Sequence, residues 1–92
     1  MSNFKIFETD QFISDIESLP PSTKVKIYKK IREYAYKQIA ENPYFGLNIK
    51  KLRDISPETW RYRLSDYRLF YEIDDSEKII YITALSKRKD AY

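Results

Sequence analysis

Three arginines stand in the stretch WRYRLSDYRLFY, residues 60–71: Arg61, Arg63 and Arg68. A guanidinium donates paired hydrogen bonds from a planar fork and stays protonated, so it suits phosphate or carboxylate. If Ser65-Asp66 is a two-residue turn, Leu64 faces Tyr67, Arg63 faces Arg68, Tyr62 faces Leu69 and Arg61 faces Phe70. Alternation then puts Trp60, Tyr62, Leu64, Tyr67, Leu69 and Tyr71 on one side and the three arginines on the other. Like charges directly opposite one another repel by a few tenths of a kcal/mol up to about 1. Two readings are open at this point. Either an anion such as phosphate offsets the repulsion, or the face is solvated and the long arginine stems cover apolar surface.

Further cations extend the pattern. The stretch SKRKDAY, residues 86–92, brings Lys87, Arg88 and Lys89 before Tyr92. Such a tail is either frayed and soluble or grips RNA, with charges on phosphate and the ring on a base. Between Lys50 and Arg68 there are six basic residues (Lys50, Lys51, Arg53, Arg61, Arg63, Arg68) against three acidic ones, an excess equal to the chain's net charge of +3. Lys26, Lys29, Lys30 and Lys37 are read as a solvated helix face.

The remaining chemistry is defined by exclusion. With no cysteine and no histidine, disulfides, Cys/His zinc sites, thiol nucleophiles and histidine bases are out of reach, and no cofactor is expected. One glycine, Gly46, leaves no Gly-rich phosphate loop. The start MSNFKIFETD lacks the apolar run of a signal peptide and no segment approaches transmembrane length, so a soluble cytoplasmic protein without membrane contact is expected.

The elements that must hold the arginines follow from periodicity. The 92 residues, 42% of them hydrophobic, suffice for one small domain, 1–92. Residues 3–8 (NFKIFE) alternate as a short strand. Thr9 or Asp10 can cap a helix carrying Phe12, Ile13, Ile16 and Leu19, ended by Pro20-Pro21. Ser22 or Thr23 can cap a second helix to about Glu41, with Val25, Ile27, Tyr28, Ile31, Tyr34, Ala35 and Ile39 as its apolar face, stopped by Asn42-Pro43. The strands over 60–65 and 67–73 follow, then the turn 74–77 and the run KIIYITAL, residues 78–85, as a central strand. The order β-α-α-β-β-β predicts an α+β fold, two N-terminal helices packed on one face of an antiparallel sheet.

The succession NP-x-x-G, KKLRD, WRYRLSDYRLFYEIDD and KRKDAY resembles the RelE/ParE superfamily of toxins from bacterial and archaeal toxin–antitoxin pairs. The resemblance spans nearly the whole chain, including its length and element order, and implies a small RelE-like fold. RelE-type members cut messenger RNA in the ribosomal A site, whereas ParE-type members inhibit DNA gyrase and are not nucleases. Basic residues of the RelE branch fall on Arg61, Arg63, Arg68 and Arg88, and its C-terminal tyrosine on Tyr92. The resemblance thus implies a ribosome-dependent endoribonuclease with these five residues as catalytic.

The implied mechanism is attack by the RNA's own 2′-hydroxyl on the adjacent phosphate. Lys50, Lys51, Arg53, Lys87 and Lys89 would contact RNA or ribosome. One departure stands out: the branch has lysines where this chain has Arg61 and Arg63, and an arginine cannot give up its proton to act as a base. The resemblance further implies a cognate acidic antitoxin and leaves homodimerisation open. The alternatives are a gyrase inhibitor and a degenerate member that only binds its antitoxin or RNA.

Overall fold

Thr9 joins the first strand to the first helix. In the computed structural model, which describes residues 3–87, its Oγ1 accepts from the Phe12 amide at 3.3 Å and donates to the Ile82 carbonyl at 2.7 Å. Strand β1 (Lys5–Glu8) therefore leads directly into α1 (Asp10–Glu17), and of the two candidate caps it is Thr9 that acts. The next helix, α2 (Pro21–Lys30), starts earlier than expected, with Pro20 in the cap position rather than Ser22 or Thr23. Proline at the first helical position has no amide to satisfy and needs no side-chain cap.

Helix α2 runs through a π-helical segment (Ile31–Ala35) into α3 (Tyr36–Glu41). Its buried residues are Ile27, Ile31, Ala35 and Ile39, each four positions after the last. In an α-helix of 3.6 residues per turn such a stripe drifts by about 40° per step. The wider π turn takes up that drift and keeps the four side chains on the sheet. For the same reason Tyr34, expected on the apolar face, is turned to solvent at 61% exposure, while Val25, also expected there, is 68% exposed because it sits two residues and about 200° round from Ile27.

Five strands form one sheet in the order β1-β5-β4-β3-β2. They are β1, β2 (Ile49–Lys51), β3 (Trp60–Leu64), β4 (Tyr67–Asp74) and β5 (Ile79–Lys87). The α+β class and the helices packed on the sheet are as expected. Two details are corrected. The sheet is mixed, because β1 pairs parallel to β5, and the short β2, expected as loop, adds an edge next to β3. Strand β5 is interior, as its nearly uncharged sequence predicts, but β4 occupies the middle.

The hairpin register matches the alternation argument: Leu64 opposes Tyr67, Arg63 opposes Arg68, Tyr62 opposes Leu69 and Arg61 opposes Phe70. Ser65 takes the left-handed φ of 56° that opens a primed two-residue turn. Trp60, Tyr62, Leu64, Tyr67, Leu69 and Tyr71 are buried with Ile80, Ile82 and Leu85 against Phe12, Ile16 and the helical stripe. Each large apolar side chain so buried contributes about 1.5–3 kcal/mol. That one-sided core fixes which way the arginines must point.

Candidate nucleic-acid interface

The face of the sheet opposite the helices is where Arg61, Arg63 and Arg68 meet. All three are half-buried on the strands, with Arg68 lining one depression beside Phe70 and Arg63 another beside Asn48. Arg63 is directly across from Arg68, and Arg61 from Phe70. Strand β2 adds Lys50 directly across from Arg61. Directly opposed positions are about 4.5–5.5 Å apart. Four cations thus form a staggered run: Lys50 and Arg61 in one row across β2 and β3, Arg63 and Arg68 in the next across β3 and β4.

The backbone holds this block in shape. Asn48, at a φ of 75°, turns the chain into β2. Its carbonyl accepts from the Arg63 amide at 2.9 Å and from Arg61 Nη1 at 3.0 Å. One carbonyl therefore fixes both the edge of β3 and the direction of one guanidinium. Upstream, the NPYFG turn anchors the same corner. The buried Pro43 carbonyl accepts from Tyr71 Oη at 2.7 Å, and Gln38 bridges Tyr62 Oη (2.9 Å) to the Leu47 carbonyl (2.7 Å).

The other sequence-predicted residues divide. Lys50 joins the arginines, and Arg53 lines a cleft of about 400 Å³ with Lys50, Lys51, Leu52, Ile55, Arg68 and Phe70. The Lys51 side chain goes elsewhere: its Nζ is 2.6 Å from Glu58 and 5.9 Å from the centre of the Trp60 ring. Lys87 opposes Tyr67, which puts it on the helix-bearing side, away from the arginines. Arg88, Lys89 and Tyr92 lie outside the described residues. Lys26, Lys29, Lys30 and Lys37 are exposed, in keeping with a solvated helix face.

Sequence reasoning missed two contributors. Alternation puts Phe70, opposite Arg61, on the arginine side, and the structure makes it part of the cleft. Tyr34, assigned to the core, instead lines a second depression of about 480 Å³ with Lys30, Asn48 and Arg63. The four-residue spacing around the π segment is the signal that would have turned Tyr34 outward.

The electrostatics favour holding an anion over moving a proton. Glu58, the carboxylate close in sequence, is paired with Lys51. Tyrosines with displaced pKa values all move upward. Tyr28 and Tyr36 are raised by burial and by donating to the same Glu8 Oε2, at 2.8 and 2.7 Å. Tyr71 is raised by burial. Tyr44 is pushed up to about 12 by burial and its 2.8 Å bond to Asp75. A phenol held protonated is no base. Among the described residues no group of three or more carboxylate, Cys or His side chains could hold a metal ion.

The family model described as the ParE toxin of the type II toxin-antitoxin system parDE matches residues 6–92. Among solved structures, the chain is similar to one in the RelBE2 toxin-antitoxin complex of Mycobacterium tuberculosis. They share 27% identity over 98% of this chain and 97% of that one, with a TM-score of 0.75. It is also similar to YoeB of Staphylococcus aureus, solved as a dimer, at 26% identity over 90% and 94% and a TM-score of 0.68. The archaeal RelE-RelB complex from Pyrococcus horikoshii shares the fold at 22% identity over 97% and 99% and a TM-score of 0.63. No curated protein matches the sequence closely enough to count.

Proposed function

Since the chain belongs to the ParE toxin family of type II toxin-antitoxin systems, within the RelE/ParE superfamily, we propose that it is a toxin that cuts messenger RNA on the ribosome. The observation that carries this reading is the block of Arg61, Arg63, Arg68 and Lys50 on an open sheet face, with Arg63 and Arg68 in direct opposition. Such a block stores repulsion that a phosphate relieves, and it tightens as negative charge accumulates on that phosphate.

The reaction follows from these groups. The 2′-oxygen attacks the adjacent phosphorus in line, the P–O5′ bond breaks, and a 2′,3′-cyclic phosphate and a 5′-hydroxyl result. Arg61 helps to seat the phosphate, while Arg63 and Arg68 stabilise the charge on its non-bridging oxygens. Arg88 neutralises the leaving 5′-oxygen, and Tyr92 stacks on a base to hold the nucleotide in attacking geometry. Positioning supplies most of the acceleration, with the ribosome as the second half of the site. The partner expected in the resting state is an antitoxin, by analogy with the RelBE2 complex. Its acidic, amphipathic segment would fold onto the basic surface.

Primer extension or toeprinting on translating ribosomes tests this reading. The wild type is expected to cut within the A-site codon, and Arg63→Ala, Arg68→Ala and Tyr92→Phe each to lower cutting. Full cutting by all three variants would sink the assignment. The ParE name of the matching family favours a second reading, a non-catalytic inhibitor of DNA gyrase with the arginine face as a protein-binding patch. Loss of supercoiling activity with the messenger left intact would decide for it.

A further inference from the structure

We propose that the open sheet face carries a nucleobase slot beside the arginine block, with Phe70 as its stacking platform and Leu52 and Ile55 as its opposite wall. The proposal rests on the RNA-cleaving reading above. It assigns a place to a part of the nucleotide that the arginines do not hold.

Phe70 is flanked by cations on two sides, with Arg61 directly across on β3 and Arg68 two positions before it on its own strand. The loop after β2 leaves Leu52 and Ile55 facing the same cleft. Ile55 is 48% exposed, so its side chain is accessible to a ring placed against Phe70. Lys50, Arg53 and Arg68 rim the opening.

A phosphate alone calls for cations and donors and gains nothing from an aromatic floor. A flat ring beside the charges matches a nucleotide, whose base has a π-face and whose backbone has the anion. At about 400 Å³ the cleft falls within the range of single-ligand pockets, roughly 300–1,000 Å³. That volume accommodates a single nucleotide. The bound fragment is therefore one unstacked nucleotide of a single strand. Recognition by stacking is expected to tolerate different bases, because every base has a π-face.

The test uses an uncleavable 2′-O-methyl RNA oligomer with a single 2-aminopurine, and a matched oligomer with an abasic site there. The wild type is expected to quench the 2-aminopurine fluorescence and to bind the abasic probe about tenfold more weakly. Phe70→Ala should bind the two probes equally. Phe70→Tyr should restore the difference, while Phe70→Leu, which keeps apolar volume without a π-face, should not.

An equal abasic penalty in wild type and Phe70→Ala would overturn the slot, as would a wild type that binds neither probe. Melting temperatures of all variants guard against a folding defect, and the ratio between probes is insensitive to one. An antitoxin affinity lowered by Phe70→Ala, with both probes bound as by wild type, would assign the slot to a protein and overturn the proposal. Ribosome assays separate the two levels. Intact messenger with quenching retained defeats the cleavage reading and leaves the slot; cleavage with an unaltered probe response in Phe70→Ala defeats the slot alone.

Discussion

Arg63 and Arg68 face each other across the hairpin, a like-charge pairing whose own contribution is unfavourable by a few tenths of a kcal/mol up to about 1. Replacing Arg63 by Gln keeps most of the stem and removes the charge. The repulsion relieved, about 0.5 kcal/mol, corresponds to a melting temperature raised by about 2–4 °C at low ionic strength. High salt should erase the gain. The same variant should lower ribosome-dependent cleavage by about a hundredfold or more, since a charge on the transition-state oxygens is lost. Calorimetry at two salt concentrations reads the first effect, and a variant no more stable than wild type would show that no repulsion is stored. Tyr44, in the NPYFG turn and edge-on to Trp60 at 5.5 Å between ring centroids, offers a pH-dependent counterpart. Its phenol, raised to about 12, contributes stability fully present below pH 10 and lost as pH climbs toward 12. Asp75, held below the usual carboxylate range by its bonds to Tyr44 and Lys78, contributes stability present above its ordinary pKa and lost in acid. Tyr44→Phe should therefore flatten part of the fall in melting temperature above pH 10. An alkaline profile identical to wild type would contradict the assignment.

At the level of elements, Gly46 and Glu8 decide how the helices meet the sheet. Gly46 has a φ of 153°, a region that side chains rarely adopt. A Cβ there would stand 2.7 Å from Gln38 Nε2, the group tied to Leu47 that helps to hold Tyr62. Gly46→Ala should cost about 1–3 kcal/mol, seen as a lower denaturation midpoint with an unchanged slope. Glu8 receives two phenols, Tyr28 from α2 and Tyr36 from α3, and so clamps β1 to both helices. The NP-x-x-G signature is thus legible as a structural device: Asn42 turns the chain, Pro43 accepts from Tyr71, and Gly46 permits the close approach. The hairpin register was also legible, because strict alternation over Trp60–Leu64 and Tyr67–Tyr71 admits one buried face. The parallel pairing of β1 with β5 was not, since strand propensity says nothing about a partner seventy residues away. Nor was β2, a three-residue strand in a charged stretch whose hydrogen bonds exist only because β3 is there to receive them. The π segment escaped notice because a window read at 3.6 residues per turn assigns Tyr34, seven residues after Ile27, to the core. The arginine block was visible in the sequence, but its fourth member, Lys50, needed β2. The cleft around Phe70 needed the path of the loop between Leu52 and Thr59, which no periodicity encodes.

On the scale of the whole molecule, the mixed sheet divides the chain into a side that folds and a side that binds. The helices pack on one face, and the buried apolar cluster lies there. The other face is left to charge, and its cations are gathered at the β2–β3–β4 end, while Phe7 and Tyr81 pack edge-to-face at 5.6 Å between centroids at the β1–β5 end. Glu72, which opposes Tyr81, marks the boundary between them. This asymmetry has a measurable consequence that separates RNA from a protein partner. Lys50, Arg61, Arg63 and Arg68 are the cations placed to meet phosphates. Displacing counterions from a single strand gives log K a slope of about −0.7 per phosphate neutralised against log salt. These four contribute about −2.8 to the slope, and Arg63→Gln should make the measured slope shallower by about 0.7. Lys26→Gln, on the outer helix face, should leave the slope unchanged. Titrating an uncleavable single-stranded RNA at several salt concentrations measures all three. A slope near zero in the wild type, or one that Lys26→Gln lowers as much as Arg63→Gln does, would mean that the sheet face is not the RNA track. The arginines would then be explained better as a docking surface for a protein.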